Sequence, residues 1–305
     1  MKLVFMGTPE IARRSLKAIH EAGHEIVGVY TKQDTPKNRG MKLAISEVKE
    51  YALEAGLPIY QPTTFRDDAV VEELRALEPE LIVAVAYGKI LPQSVLDIPK
   101  HGCINMHASV LPELRGAGPV QWAILRHYTE TGVSAMFLSA GMDEGDVIEI
   151  RRTPISPTET AEELLARLSE IAAELACDTI RAIEEGTVTR TPQDPARATY
   201  APMLSKELSP IRWDEPAQYV IDQIRGLIPW PVATAVLGGT QFKIYCAERE
   251  DEKTDAEPGT ILELTKKGLK IACGANEVVT VTRLQAEGGK RMSAADYFRG
   301  HPLRI

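Results

Sequence analysis

Leu81-Ile-Val-Ala-Val85 is five apolar residues in a row, with no polar face to offer to water. A strand of that kind is buried on both sides, which is the position of a central strand in a parallel sheet covered by helices. The N-terminus supplies the matching unit. Leu3 to Met6 is a short apolar run, Gly7-Thr-Pro-Glu10 turns into an amphipathic segment from Ile11 to Ala22, and Glu25 to Thr31 is again β-rich. Thr8 is placed to cap that helix, and Pro9 suits its first position. Strand, helix and strand within about 30 residues read as a βαβ unit. The expected fold is therefore α/β, with a doubly wound, mostly parallel sheet. The first turn holds one glycine and lacks the Gly-x-Gly-x-x-Gly pattern, which argues against a dinucleotide cofactor.

The chemistry is expected between Cys103 and Gly116. Ile104, Asn105, Met106 and His107 alternate apolar and polar, as the end of a half-buried strand does. Asn105 and His107 leave such a strand by the same face. Ala108-Ser-Val-Leu-Pro112 then stops any ladder, and Arg115-Gly116 turns. A polar pair at a strand end with a loop beyond it is where open α/β sheets bind ligands. A third polar group, Asp143, follows the apolar segment Val133 to Leu138 in Gly141-Met-Asp-Glu-Gly-Asp146. Taken singly, each has a plainer reading: a structural histidine, a capping asparagine, a turn carboxylate. Tyr87-Gly88, at the end of the Leu81–Val85 strand, is either a strand-to-helix turn or a wall for a planar ligand, since glycine permits close approach. Ser109 lacks the Gly-x-Ser-x-Gly context of an esterase nucleophile. His101 and His107 have no third ligand at zinc spacing, so no metal is expected.

These motifs resemble the 10-formyltetrahydrofolate-dependent formyltransferases. The resemblance rests on Asn105-x-His107, Ser109-Val-Leu-Pro112 followed by Arg115-Gly116, and Gly141-Met-Asp-x-Gly-Asp146. It continues through Met6-Gly-Thr-Pro-Glu10, Val85-Ala-Tyr-Gly88, Thr199-Tyr-Ala201 with Leu204-Ser-Lys206, and Pro229-Trp-Pro231. Leu114 stands where the family more often has Trp, and Gly118 where Ala is commoner. The resemblance implies that Asn105, His107 and Asp143 form the catalytic set and that Ser109, Val110, Leu111 and Pro112 belong to the folate-binding loop. The implied cosubstrate is 10-formyltetrahydrofolate, without a metal. The implied acceptor is the amino group of methionine on initiator tRNA; an amino-sugar nucleotide is the alternative acceptor, and a non-catalytic folate- or RNA-binding module the alternative class.

Formyl transfer suits that set. An amine attacks the formyl carbon, an oxyanion develops, and the leaving nitrogen must gain a proton. A neutral amide meets the oxyanion, and one such donor is worth roughly 3 kcal/mol of barrier. A histidine moves the proton between nitrogens. A carboxylate beside it fixes the imidazole's tautomer and favours its charged form.

Lys32 to Lys42 is polar and carries four basic residues against one acid. It reads either as a solvated loop or as a clamp for a polyanion, with Arg39 and Lys42 as charge donors. Arg39-Gly-Met-Lys42 matches the element with which the resembling enzymes meet the tRNA acceptor stem.

Ala69 to Leu77, Gly118 to His127 and Thr160 to Glu184 read as helices, the last with apolar residues at Leu164, Leu168, Ile171 and Leu175. The expected catalytic domain is 1–188. The turn-rich stretch 189–206 reads as a linker. Residues 207–305 hold short strands separated by glycine-rich or charged turns, which suggests a small OB-like β-barrel that binds tRNA. Lys266, Lys267, Lys270, Lys290 and Arg291 lie in it.

Charge sets one further bound. The net charge of −8 is the wrong sign for a protein that simply coats nucleic acid, but the last 100 residues hold 14 basic and 14 acidic side chains and are neutral. The four cysteines show no paired spacing and read as buried thiols of a reducing compartment. No apolar run is long enough to span a bilayer, and Gly7-Thr-Pro9 interrupts the N-terminal apolar run too early for a signal peptide. A cytoplasmic monomer without membrane contact is expected.

Overall fold

The computed structural model describes residues 1–37 and 42–302, with side chains outside 36–43. In chain order the first part runs β1 (Lys2–Gly7), α1 (Glu10–Glu21), β2 (Glu25–Tyr30), β3 (Thr35–Lys37), β4 (Lys42–Ala44), α2 (Glu47–Glu54), β5 (Ile59–Tyr60), α3 (Asp68–Ala76), β6 (Leu81–Val85), α4 (Gln93–Leu96) and β7 (Cys103–His107). It continues with β8 (Arg115–Gly116), α5 (Pro119–Leu125), β9 (Glu130–Phe137), β10 (Val147–Pro154), α6 (Ala161–Glu185) and β11 (Tyr200–Ala201). Seven strands form one sheet in the order β10-β9-β7-β6-β1-β2-β5. From β5 to β7 the pairs are parallel; β7–β9 and β9–β10 are antiparallel. This is the mostly parallel α/β sheet expected from the sequence.

The Leu81–Val85 strand is buried at every residue and lies between β1 and β7. The chain builds outward from β1 through β2 to β5, then returns to the other side of β1 with β6. The strand order therefore reverses between β1 and β6, and the C-terminal ends of strands at such a point are where ligands bind in sheets of this kind. One local expectation differs. Thr8 does not cap α1: the N-cap is Pro9, without a side-chain bond, and the Thr8 hydroxyl donates to the Tyr87 carbonyl at 3.3 Å. That bond ties together the loops after β1 and β6. By contrast α2 and α3 carry side-chain caps, from Ser46 to the Lys49 N–H and from Asp67 to the Ala69 N–H.

The C-terminal part runs α7 (Ala217–Gly226), β12 (Ala233–Leu237), β13 (Thr240–Glu250), β14 (Ile261–Leu264), β15 (Leu269–Cys273), β16 (Glu277–Ala286), β17 (Met292–Ser293) and α8 (Ala294–Gly300). Its strands form one antiparallel sheet, β12-β13-β16-β15-β14, with β17 on β16. Phe242, Ile244, Ile271, Val279, Val281 and Leu284 from the strands share a single core with Val220 and Ile224 of α7 and Phe298 of α8.

Two compact units result, and the second is not only the end of the chain. It takes in Val120–Thr129 and Ile155–Leu164 together with the residues from Met203 onward. Within this unit a buried polar cluster joins the three pieces. Asp222 of α7, 2% exposed, accepts hydrogen bonds from Arg225 Nε at 2.7 Å and Gln218 Nε2 at 2.9 Å, and pairs with His127 Nδ1 at 2.8 Å. Arg225 in turn donates through Nη1 to the carbonyls of Ser156 at 3.0 Å and Glu159 at 2.8 Å. His127 sits in the left-handed region at φ +62° and stacks on Tyr219, with ring centroids 3.4 Å apart.

Candidate active site

The three residues expected to carry chemistry all lie in the first unit. Asn105 and His107 stand at the C-terminal end of β7, which lies between β6 and β9. Asn105 is half-buried and pairs in register with Ala84 and Met136; His107, 6% exposed, pairs with Ser134. Strand alternation sends both side chains to one face.

The imidazole is held from both sides. Its Nε2 lies 2.9 Å from the Leu114 carbonyl oxygen. A carbonyl can only accept, so Nε2 carries the proton and Nδ1 is left with the lone pair in the neutral ring. Nδ1 faces Asp143 Oδ2 at 3.6 Å. The sequence assigned the fixing of the tautomer to the carboxylate. The structure gives that task to a backbone carbonyl and leaves the carboxylate beside the other ring nitrogen. Asp143 Oδ2 also accepts the Gly116 N–H at 2.8 Å, which holds it in place.

Both flanking loops are unusual in their backbone. Leu114 and Asp143 are left-handed, at φ +57° and +54°, and Ala86 after β6 is at φ +45°. A non-glycine residue in that region costs about 1–3 kcal/mol and persists only where its surroundings over-determine it. The determinants are visible. The Leu114 N–H donates to Thr199 Oγ1 at 2.9 Å and the Arg115 N–H to the Thr199 carbonyl at 2.9 Å, while β8 pairs with β11. Gly116, at φ +109°, has no room for a Cβ, which would stand 2.8 Å from the Ala201 carbonyl oxygen. A Cβ on Gly145 would overlap the Phe137 carbonyl.

Ser109 to Pro112 form a tight loop beside these groups. Ser109 is fully buried; its hydroxyl donates to the Glu113 carbonyl at 2.6 Å, and its carbonyl accepts from Ser134 Oγ at 2.7 Å. Ser134 Oγ accepts the Leu111 N–H at 3.1 Å, and the Leu111–Pro112 peptide is cis. Val110 is half-buried and Leu111 buried. Tyr87 turns its ring into the core against Phe65, so only the backbone of Ala86 to Gly88 remains at the strand end. Burial pushes the Tyr87 hydroxyl pKa upward. Gly88 at φ +74° lies against the Lys32 side chain, and Lys89 has its pKa lowered by burial and then by the charge of Lys32. Cys103, at the other end of β7, has its thiol pushed up to about 12 by burial and is inert. Arg39 lies outside the described residues, and so does the side chain of Lys42.

Sequence reasoning missed Leu114, Ser134, Gln193 and Thr199 as parts of the site. Leu114 and Thr199 act largely through backbone atoms, which carry no side-chain signature.

The formyl transferase family matches residues 1–180, and the formyl transferase C-terminal domain matches residues 203–302. A methionyl-tRNA formyltransferase from Trichlorobacter lovleyi is 42% identical over 304 residues, covering 100% of this chain and 95% of the relative. One from Moorella thermoacetica is 44% identical over 303 residues, covering 99% and 97%. Among solved structures, an N-formyltransferase from Helicobacter canadensis with folinic acid and dTDP-3-aminofucose superposes with a TM-score of 0.72 at 20% identity, over 92% of this chain and 98% of that one. HypX from Aquifex aeolicus in complex with tetrahydrofolic acid gives a TM-score of 0.66 at 19% identity, over 98% of this chain and 47% of that one. At those identities the two structures speak for the fold.

Proposed function

The chain belongs to the methionyl-tRNA formyltransferases, and on that premise we propose that Asn105, His107 and Asp143 carry its reaction. The enzyme transfers a formyl group to the amino group of methionyl-tRNA. When bound, 10-formyltetrahydrofolate supplies the formyl carbon and a nitrogen that departs as an amine. His107 Nδ1 takes the proton that the attacking amine must lose and returns it to the departing nitrogen. Asp143 faces the imidazolium formed in between, 3.6 Å from Nδ1. The Asn105 amide donates to the developing oxyanion, a contribution of roughly 3 kcal/mol. Ser109 to Pro112 and the backbone of Tyr87 and Gly88 border the folate. The observation that carries this reading is the imidazole locked through Nε2 with its free nitrogen turned to a carboxylate. Incubating the purified protein with initiator methionyl-tRNA and 10-formyltetrahydrofolate should yield formyl-methionyl-tRNA; absence of product would defeat it.

Arg39 and Lys42 are assigned to the phosphates of the acceptor stem, and residues 207–305 to further, mostly sequence-independent phosphate contacts. The basic residues of this segment are not equivalent for that purpose. Lys270 is paired with Glu252 at 2.9 Å and Glu263 at 3.8 Å, whereas Lys266, Lys267 and Lys290 are exposed and Arg291 lies over the Tyr245 ring. Arg39→Ala with Lys42→Ala should raise KM for methionyl-tRNA about tenfold or more at 0.15 M salt, with a shallower salt dependence. An unchanged KM would remove the loop from tRNA binding and reopen the amino-sugar acceptor. The working form is taken as a cytoplasmic monomer; no described helix is long and apolar enough to cross a membrane.

A further inference from the structure

Gln193 lies in the stretch between α6 and β11, and its hydrogen bonds all run to the loops that carry the proposed site. Its Nε2 donates to the backbone carbonyls of Asp143 at 2.9 Å and Gly145 at 2.8 Å. Its Oε1 accepts from Arg115 Nε at 3.1 Å and Nη2 at 2.9 Å. A primary amide has two N–H donors and two lone pairs, so all four positions are used. Arg115 is 4% exposed and has Glu144 Oε1 3.7 Å from Nη1. The neighbouring residues strap the same loops. Thr191 and Val147 exchange two backbone bonds of 2.9 Å, and Thr199 holds Leu114 and Arg115 as described above. One short segment, 191–201, thus anchors both the carbonyl that fixes His107 Nε2 and the residue that faces Nδ1.

We propose that Gln193 is a positioning residue of formyl transfer, which holds the left-handed Asp143 so that its carboxylate stays against His107 Nδ1. This rests on the roles assigned above to His107 and Asp143. The physical need is specific. Asp143 at φ +54° is in the sparsely populated left-handed region, which a residue other than glycine keeps where its surroundings hold it. The Gly116 N–H grips the carboxylate and Gln193 grips the main chain of the same residue, so side chain and backbone are fixed independently. Without the amide, the carbonyls of Asp143 and Gly145 and the buried Arg115 guanidinium lose partners together, and the loop has reason to relax.

The test is a double-mutant cycle read by single-turnover formylation of methionyl-tRNA. Gln193→Met keeps the volume and removes every hydrogen bond. Gln193→Glu keeps the acceptor for Arg115 but sets carboxylate oxygen against the two carbonyls. Both variants should react about 30- to 100-fold more slowly, as misplacement of a catalytic group by about 1 Å does, with dissociation constants for tRNA and folate within about threefold of wild type. In an Asp143→Ala background, Gln193→Met should cost no more than about twofold further, because the group it positions is already gone. A full-sized additional loss there, or a wild-type rate in either single variant, would overturn the proposal. A wild-type enzyme that makes no product, or an Asp143→Ala enzyme at full rate, would instead sink the parent reading.

Discussion

His107→Ala lowers the single-turnover rate of methionyl-tRNA formylation by about a thousandfold, within the range that a positioned acid–base group contributes. The side chain is 6% exposed, its Nε2–H is committed to the Leu114 carbonyl at 2.9 Å, and its Nδ1 is the atom left for proton traffic beside Asp143. Because the histidine is assigned to the transition state and not to ground-state binding, folate affinity should change little, and the loss should fall on kcat. His107→Gln is the informative partner. Its amide can still reach a backbone carbonyl, yet it cannot cycle a proton at neutral pH, so it should be as slow as alanine. A rate within tenfold of wild type for either variant would take His107 out of the chemistry and leave Asn105 and the bound geometry to account for it.

Asp222→Ala destabilises the second unit by about 3–5 kcal/mol, the usual result of stripping the partner from a buried ion pair. Asp222 is 2% exposed and its Oδ1 lies 2.7 Å from Arg225 Nε. Its removal strands a guanidinium whose side chain is 8% exposed, and also unpairs His127 and Gln218. Urea unfolding followed by tryptophan fluorescence should show the corresponding transition at lower denaturant. With two units, a single two-state fit is not assumed; the shift of the affected transition is the quantity of interest. Asp222→Asn keeps two of the contacts in shape and should lose less than the alanine variant. If Asp222→Ala unfolds at the wild-type midpoint, the cluster contributes nothing and its burial is incidental.

The two regions differ in how far they were legible in the amino-acid order. Parallel strands buried on both faces write themselves as apolar runs, so β1, β2 and β6 could be read directly, while β7 showed itself by its apolar–polar alternation. The charge-rich edge could not. β10 reads Val147-Ile-Glu-Ile-Arg-Arg-Thr-Pro154, and its charged Glu149, Arg151 and Arg152 look like a surface loop until β9 supplies the hydrogen bonds. In the proposed site, Asn105, His107 and Asp143 stood out because the roles proposed for them belong to side chains. Leu114 was not, since it contributes a carbonyl and a left-handed turn that any residue name conceals. His127 reads as a surface or turn residue, yet its ring is tied to Asp222 and stacked on Tyr219, contacts made across about 90 positions of sequence that no local pattern encodes. The same holds for 191–201. Its prolines suggest a tether, while its amides and carbonyls bind two distant loops.

The chain passes between its two compact units at 119/120, 129/130, 154/155, 164/165 and 202/203. The last hundred residues are consequently not a detachable cassette. Ile124 and Leu125, contributed by a much earlier stretch, lie close enough to Gly226 that a methyl group there would stand 3.1 Å from each. Arg225 finds its two carbonyls on yet another early stretch. Recombining this C-terminal segment with a foreign catalytic half would transplant a fold whose interior is partly encoded elsewhere, so exchange between such enzymes is constrained to swap both early inserts along with it.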